Sequence, residues 1–212
     1  MKIMFYLCSA KKDRHKMKKI LFILLLPALL LASCKDQNNT VEEYADWQNK
    51  NEIAFKAKYS SAIASTTDNI DTIRCYSLEN KKNPQPTDFV VVEKLTPESS
   101  IIKPDSKKGT PLFTDSISVS YRGRLLPSKS YSNGYVFDQS YTTEQYDSKI
   151  ANPRKFVTKD LIPGFTSAIQ KMHIGDHWIV YIPYQLAYGS TAQDNLPAYS
   201  MVTFDLVLEK YW

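Results

Sequence analysis

Cysteine is scarce in this chain of 212 residues, with three, Cys8, Cys34 and Cys75. The first two lie within or at the end of a stretch that reads as an export signal, so the body of the chain holds only Cys75. One thiol cannot staple a fold, and the core must be packed rather than cross-linked. The apolar run from Ile20 to Leu31 is too short for a comfortable transmembrane helix. No G-x-S-x-G, P-loop or dinucleotide fingerprint occurs. His173 and His177 have the i, i+4 spacing of metal ligands on a helix, but Gly175 stands between them where a helix should stop. Neither a metal nor a cofactor is expected, and any catalysis should need no strong nucleophile.

A basic character is also missing once the leader is set aside. Residues 1–33 hold seven Lys and Arg and one Asp, so the totals of 27 basic and 22 acidic residues become 20 and 21. The net charge of +5 belongs to the leader, and nothing points to nucleic acid.

The leader itself, "MKKILFILLLPALLLASC" from Met17, has a basic head at Lys18 and Lys19, an apolar stretch and small residues before Cys34. Leu31-Ala32-Ser33-Cys34 resembles the lipobox of bacterial lipoproteins, which implies that residues 1–33 are removed and that Cys34 is lipidated. Residues 1–16 read as an upstream start or an extended basic head, with Met17 an alternative start. The resemblance implies a lipid anchor in the bacterial cell envelope, and Lys35 in place of aspartate favours the outer membrane. Residues 34–40 read as a tether.

Residues 41–64 lack Pro and Gly, and Tyr44, Trp47, Phe55, Tyr59 and Ile63 recur at helical spacing, with Asn51 interrupting the stripe. Such a stripe either packs on its own domain or offers a face to a dimer mate or partner. An extension over 41–87, mainly helical, is expected, with the main domain over 88–212. "DFVVVEKL" reads as a strand. Ile117, Val119, Tyr121 and Leu125 alternate with Ser118, Ser120, Arg122 and Arg124, which predicts one buried and one wet face. Phe165, Ala168, Ile169 and Met172 predict a short amphipathic helix, with Pro163 in its first turn and Gly175 past its end. "DHWIVYIP" and "MVTFDLVLEKYW" read as further strands, and the whole as an antiparallel α+β domain.

Aromatic and aliphatic residues gather at loops and strand ends in this half: Tyr121, Phe137, Phe156, Leu161, Ile162, Phe165, Tyr188, Leu196 and Phe204, with Asp138 among them. "ISVSYRGRL", "GYVFDQS", "KFVTKDLIPGFTSAIQKMHIGDHWIVYIPYQLAYG" and "LPAYSMVTFDLVLEKY" resemble the successive motifs of FKBP-type peptidyl-prolyl isomerases, over about residues 107–211. The resemblance implies a bent antiparallel sheet wrapped around one short helix, with an apolar cleft between them. Carried over by position, it makes Phe165 the cleft floor, with Tyr121, Phe137, Phe156 and Phe204 as walls. Leu161 and Ile162 would offer apolar contact and a backbone amide, Tyr188 a hydroxyl to a substrate carbonyl, and Leu196 an opposing contact. Asp138 would hold tyrosine hydroxyls rather than act as a base.

Three positions depart from the pattern. Phe165 stands where tryptophan is usual, Arg154 where a further aromatic is often seen, and the loop between Tyr188 and Leu196 is slightly short. The resemblance implies isomerisation of Xaa-Pro bonds in exported, proline-containing polypeptides. The alternative is a non-catalytic binding or chaperone module of the same fold.

Overall fold

A computed structural model describes residues 42–95 and 109–212. The expected export signal, Cys34 and the tether lie outside the described residues.

Among the described residues seven strands form one antiparallel sheet: β1 (Ile70–Arg74), β2 (Phe89–Lys94), β3 (Ser116–Arg124), β4 (Val136–Gln139), β5 (Arg154–Val157), β6 (His177–Ile182) and β7 (Val202–Tyr211). Their order across the sheet is β1-β2-β6-β7-β3-β4, and β5 pairs with the other end of the same edge of β3. Register shifts interrupt β3 at Ser118/Val119 against β7 and at Gly123/Arg124 against β4. Such bulges bend a strand locally.

Two helices, α1 (Trp47–Ala64) and α2 (Pro163–Ile169), sandwich the sheet near β2. The run Val90-Val91-Val92 records this arrangement, because all three valines are fully buried. Val90 and Val92 join the main core with Ala168, Ile169, Val180 and Leu206, while Val91 joins Phe55, Ala62 and Met201. A strand covered on both faces reads as a continuous apolar run rather than as an alternation.

The sheet reaches further towards the N-terminus than the boundary expected at Asp88. β1 pairs with β2 over five residues, from Ile70↔Glu93 to Arg74↔Phe89. Only Trp47–Ala64 and two single turns, Tyr76–Leu78 and Pro86–Asp88, are helical in residues 42–88. The stretch therefore contributes an edge strand as well as a helix. The apolar stripe of α1 packs on its own sheet through Trp47, Phe55 and half-buried Tyr59, whereas Ile63 is 63% exposed. Lys58 reinforces the contact, lying 2.9 Å from Glu93 and over the ring of Tyr181.

Two local expectations need correction. The second helix ends at Ile169, so Met172 is buried from the following turn, and Gly175 (φ 89°) makes the turn into β6 with its amide on Leu208 O. The side of β3 expected to be wet is largely covered, with Ser120 fully buried and Arg122 8% exposed. The segment after β4 folds over it. Tyr141 and Tyr146 pack on Val207, Arg122 donates to Thr143 O, and Ser120 and Tyr146 both donate to Glu209. Ser and Arg were polar enough to mimic a solvent face, yet each finds a partner under the loop.

Candidate functional site

Glycine shapes the site at two places by what it omits. A Cβ on Gly164 would lie 2.3 Å from Ile182 Cγ2 and 3.0 Å from Val90 Cγ1, so the first turn of α2 sits directly on β2 and β6. Pro163 occupies that first turn, where its missing amide hydrogen costs nothing. Together they bring Phe165 into the main core on the α2 side of the sheet. A Cβ on Gly123 would lie 2.6 Å from Phe137 and 2.8 Å from Phe204, so this strand position is hollowed to admit two rings.

The rings interlock, all edge to face except the tilted pair of Phe156 and Tyr121. Phe165, 4% exposed, meets Phe204 at 5.0 Å and Tyr121 at 6.3 Å between centroids. Phe137 meets Phe204 at 5.6 Å and Tyr188 at 6.0 Å, and Phe156 lies 6.0 Å from Tyr121. T-shaped pairing fixes ring orientation more firmly than apolar burial alone. What remains between them is a cavity of about 220 Å³, lined by Tyr121, Asp138, Phe156, Asp160, Leu161, Ile162, Phe165, Tyr188 and Phe204. Its size suits one small ring rather than a drug-sized ligand.

The polar rim is tied down by Asp138. Its carboxylate accepts from the Tyr121 hydroxyl at 2.6 Å, the Gln139 amide at 2.8 Å and Arg154 Nη1 at 3.0 Å. Arg154 also donates to the Tyr121 hydroxyl and to Gln139 O. A carboxylate with three donors in place is an anchor and not a free base. Burial, and then the hydrogen bond to Asp138, push the Tyr121 phenol above its ordinary range. Burial and the charge of Asp138 do the same for Tyr188. Both phenols are therefore neutral donors at physiological pH. Among the described residues no hydrogen bond holds the Tyr188 hydroxyl, and the Ile162 amide, at the N-cap of α2, has no backbone acceptor. Two donors are thus available to carbonyls of a bound chain.

Nine of the ten residues expected at the site converge here, with Phe137 behind Tyr188 and Phe204. Leu196 does not join them. It is 6% exposed and lines a neighbouring groove with Tyr44, Tyr131, Tyr135 and Pro197. Sequence reasoning missed Gly123, Asp160 and the role of Arg154. Arg154 precedes Phe156 by two residues on one strand and so shares its face, which was the available signal.

Residues 107–209 match the family model of the FKBP-type peptidyl-prolyl cis-trans isomerases. The chain carries a domain of this family. A macrophage infectivity potentiator of Trypanosoma cruzi is 38% identical over 104 residues, covering 49% of this chain and 46% of that protein. A peptidyl-prolyl cis-trans isomerase, Mip, of Coxiella burnetii is 39% identical over 80 residues, 38% of this chain and 29% of that protein. The chain thus spans less than half the length of these relatives. The crystal structure of FkpA from Escherichia coli superposes with a TM-score of 0.52 at 21% identity, covering 79% of this chain and 62% of that one, a likeness of fold. The FKBP match begins beyond α1, β1 and β2, so the strands that seat the first turn of α2 and carry α1 come in part from outside it.

Proposed function

We propose that the protein accelerates the cis–trans interconversion of Xaa-Pro bonds in exported polypeptides. The observation that carries this reading is the cavity of about 220 Å³ floored by Phe165, rimmed by neutral hydroxyl and amide donors and without an activated nucleophile. An Xaa-Pro bond turns slowly because amide resonance raises a barrier of roughly 18–20 kcal/mol. Resonance is strongest when water solvates the carbonyl oxygen. A proline ring gripped between Phe165, Phe204 and Tyr121 leaves that solvent, and the amide loses part of its planar preference. The Tyr188 hydroxyl and the Ile162 amide hold carbonyls of the chain, so that rotation is confined to the bond inside the cavity. Stronger binding of the twisted amide than of the planar one lowers the barrier with no covalent step.

A protease-coupled assay on Xaa-Pro peptides tests the proposal. Acceleration should be measurable for the wild type and fall at least about tenfold in Phe165→Ala and Tyr188→Ala. A folded wild type that leaves the uncatalysed rate unchanged favours the non-catalytic binding module instead. We propose further that the protein acts in the bacterial cell envelope, tethered by lipid on Cys34. The motif "LASC" supports this. Cys34→Ser should move the protein from the membrane to the soluble fraction, and its continued sedimentation with membranes would exclude the anchor.

A further inference from the structure

We infer that Trp47 and Asn51, outside the FKBP match, are positioning residues that hold the Tyr188-bearing loop against the cleft. The inference rests on the isomerase reading for its effect on turnover, but the geometry stands independently of it. Residues 183–201 leave β6, carry Tyr188 past Phe137, and return to β7. The loop closes on itself through Gly189 N to Tyr184 O at 2.8 Å and Tyr199 N to Gly189 O at 3.0 Å. Tyr199 stands at φ 61°, a left-handed conformation that costs a bulky residue and persists only when its neighbours fix it.

The fixing comes from α1. Trp47 Nε1 donates to Ser200 Oγ at 2.8 Å, and Ser200 Oγ donates in turn to Pro197 O at 2.6 Å. Asn51 accepts from the Met201 amide through Oδ1 at 2.8 Å and donates through Nδ2 to Trp47 O at 2.7 Å. Asn51 is 1% exposed, so this residue, which breaks the apolar stripe, has its buried amide split between the loop, through Oδ1, and its own helix, through Nδ2. At the other end of the loop the Tyr184 hydroxyl donates to Glu52 at 3.2 Å. Both ends of the loop are therefore bonded to a single helix, and a chain of contacts runs from Trp47 through Ser200, Tyr199 and Gly189 to Tyr188. A helix placed more than a hundred residues earlier in the sequence sets the position of a cleft wall.

The test uses the full-length chain with Trp47→Phe, which keeps an aromatic ring, though a smaller one, and removes the donor, Ser200→Ala, and the double variant. Each single variant should lose about fivefold in kcat/KM on an Xaa-Pro peptide, and the double variant no more than either, as for partners in one bond. Hydrogen exchange at the Gly189, Leu196 and Tyr199 amides should quicken while that of Val180 and Ile182 stays unchanged. Ile53→Ala, on the exposed side of α1, should alter neither readout. Unchanged activity in Trp47→Phe of an active protein, additive losses, or equal losses in Ile53→Ala would each overturn the inference. An inactive wild type would remove the isomerase reading alone. Hydrogen exchange would then decide, and unaltered loop amides in Trp47→Phe would count against the positioning role.

Discussion

The two helices grip the same strand from opposite sides by different means. In α2, every residue from Gly164 to Ile169 is buried, and the contact is made by close approach of backbone to sheet. In α1, which is more than twice as long, burial is confined to Trp47, Asn51, Phe55 and Ala62, and two of these four make hydrogen bonds to the loop before β7. The short helix is a wedge whose tolerance is set by van der Waals distances. The long one is a clasp held at separate points along its length, with its other face in solvent. The wedge fixes the cleft floor, and the clasp acts on the cleft wall.

Removing one ring from each helix should break this comparison most sharply. Phe165→Ala and Phe55→Ala each delete a side chain at most 4% exposed and should each cost about 3–5 kcal/mol in urea unfolding. An α1 that were a mere appendage would let Phe55→Ala unfold at the wild-type midpoint. Next in size is Gly164→Ala, which adds a methyl 2.3 Å from Ile182 Cγ2 and should cost about 1–3 kcal/mol through overpacking. On the clasp, Ala57→Gly faces solvent and should cost only about 1 kcal/mol, the helix-propensity difference. A Gly164→Ala protein as stable as Ala57→Gly would mean that the wedge can slide on the sheet.

Much of the wedge was legible in the sequence, and little of the clasp. Pro163, Gly164 and Phe165 announced a helix start, an amphipathic face and a cleft residue within one short stretch, because the local pattern and the tertiary contact coincide there. Asn51 read as a defect in an apolar stripe. Its partner, the Met201 amide, lies 150 residues away, and periodicity carries no information about such a bond. Ser120 and Arg122 misled for the same reason, since alternation reports polarity and not what later covers it. Val90-Val91-Val92 held the answer in plain view, because an unbroken run of three signalled that a second layer lay behind the sheet. Leu196 was placed by analogy of position, and the turn bridged by Gln193 and Leu196 directs it into the neighbouring groove.

A smaller effect concerns the entry to the shared strand. Asp88, buried just before β2, accepts from Lys81 Nζ at 2.7 and 2.8 Å and from the Gln85 amide at 2.7 Å. Burial alone would raise its pKa, but the bonds from Lys81 and Gln85 outweigh burial and hold the carboxyl below its usual range. A depressed carboxyl stabilises the fold above its unfolded value of about 3.9 and loses that contribution as pH falls through the folded value. Asp88→Asn should therefore be less stable than wild type at neutral pH, with the gap narrowing below about pH 4 in urea midpoints. A gap that stays constant from pH 7 to pH 3 would show that shape rather than charge matters at this position.

The smallest expected effect is an absence of change, and it separates the cleft's chemistry from that of ordinary acid–base enzymes. Tyr121 is held neutral by burial and by its bond to Asp138, and burial does the same for Tyr188, so neither hydroxyl loses its proton as pH rises towards the ordinary tyrosine range. Asp138 already accepts from three donors, and in the proposed reaction an Xaa-Pro bond gives it no proton to take. Rotation about an amide needs no proton transfer, only removal of water from the carbonyl and a fixed grip on the chain. kcat/KM measured with one Xaa-Pro peptide should therefore stay level from about pH 6 to 9, without the bell that two titrating catalytic groups produce. A limb with a midpoint inside that window would require a titrating group at the reacting bond, and the cleft would then do more than desolvate and twist.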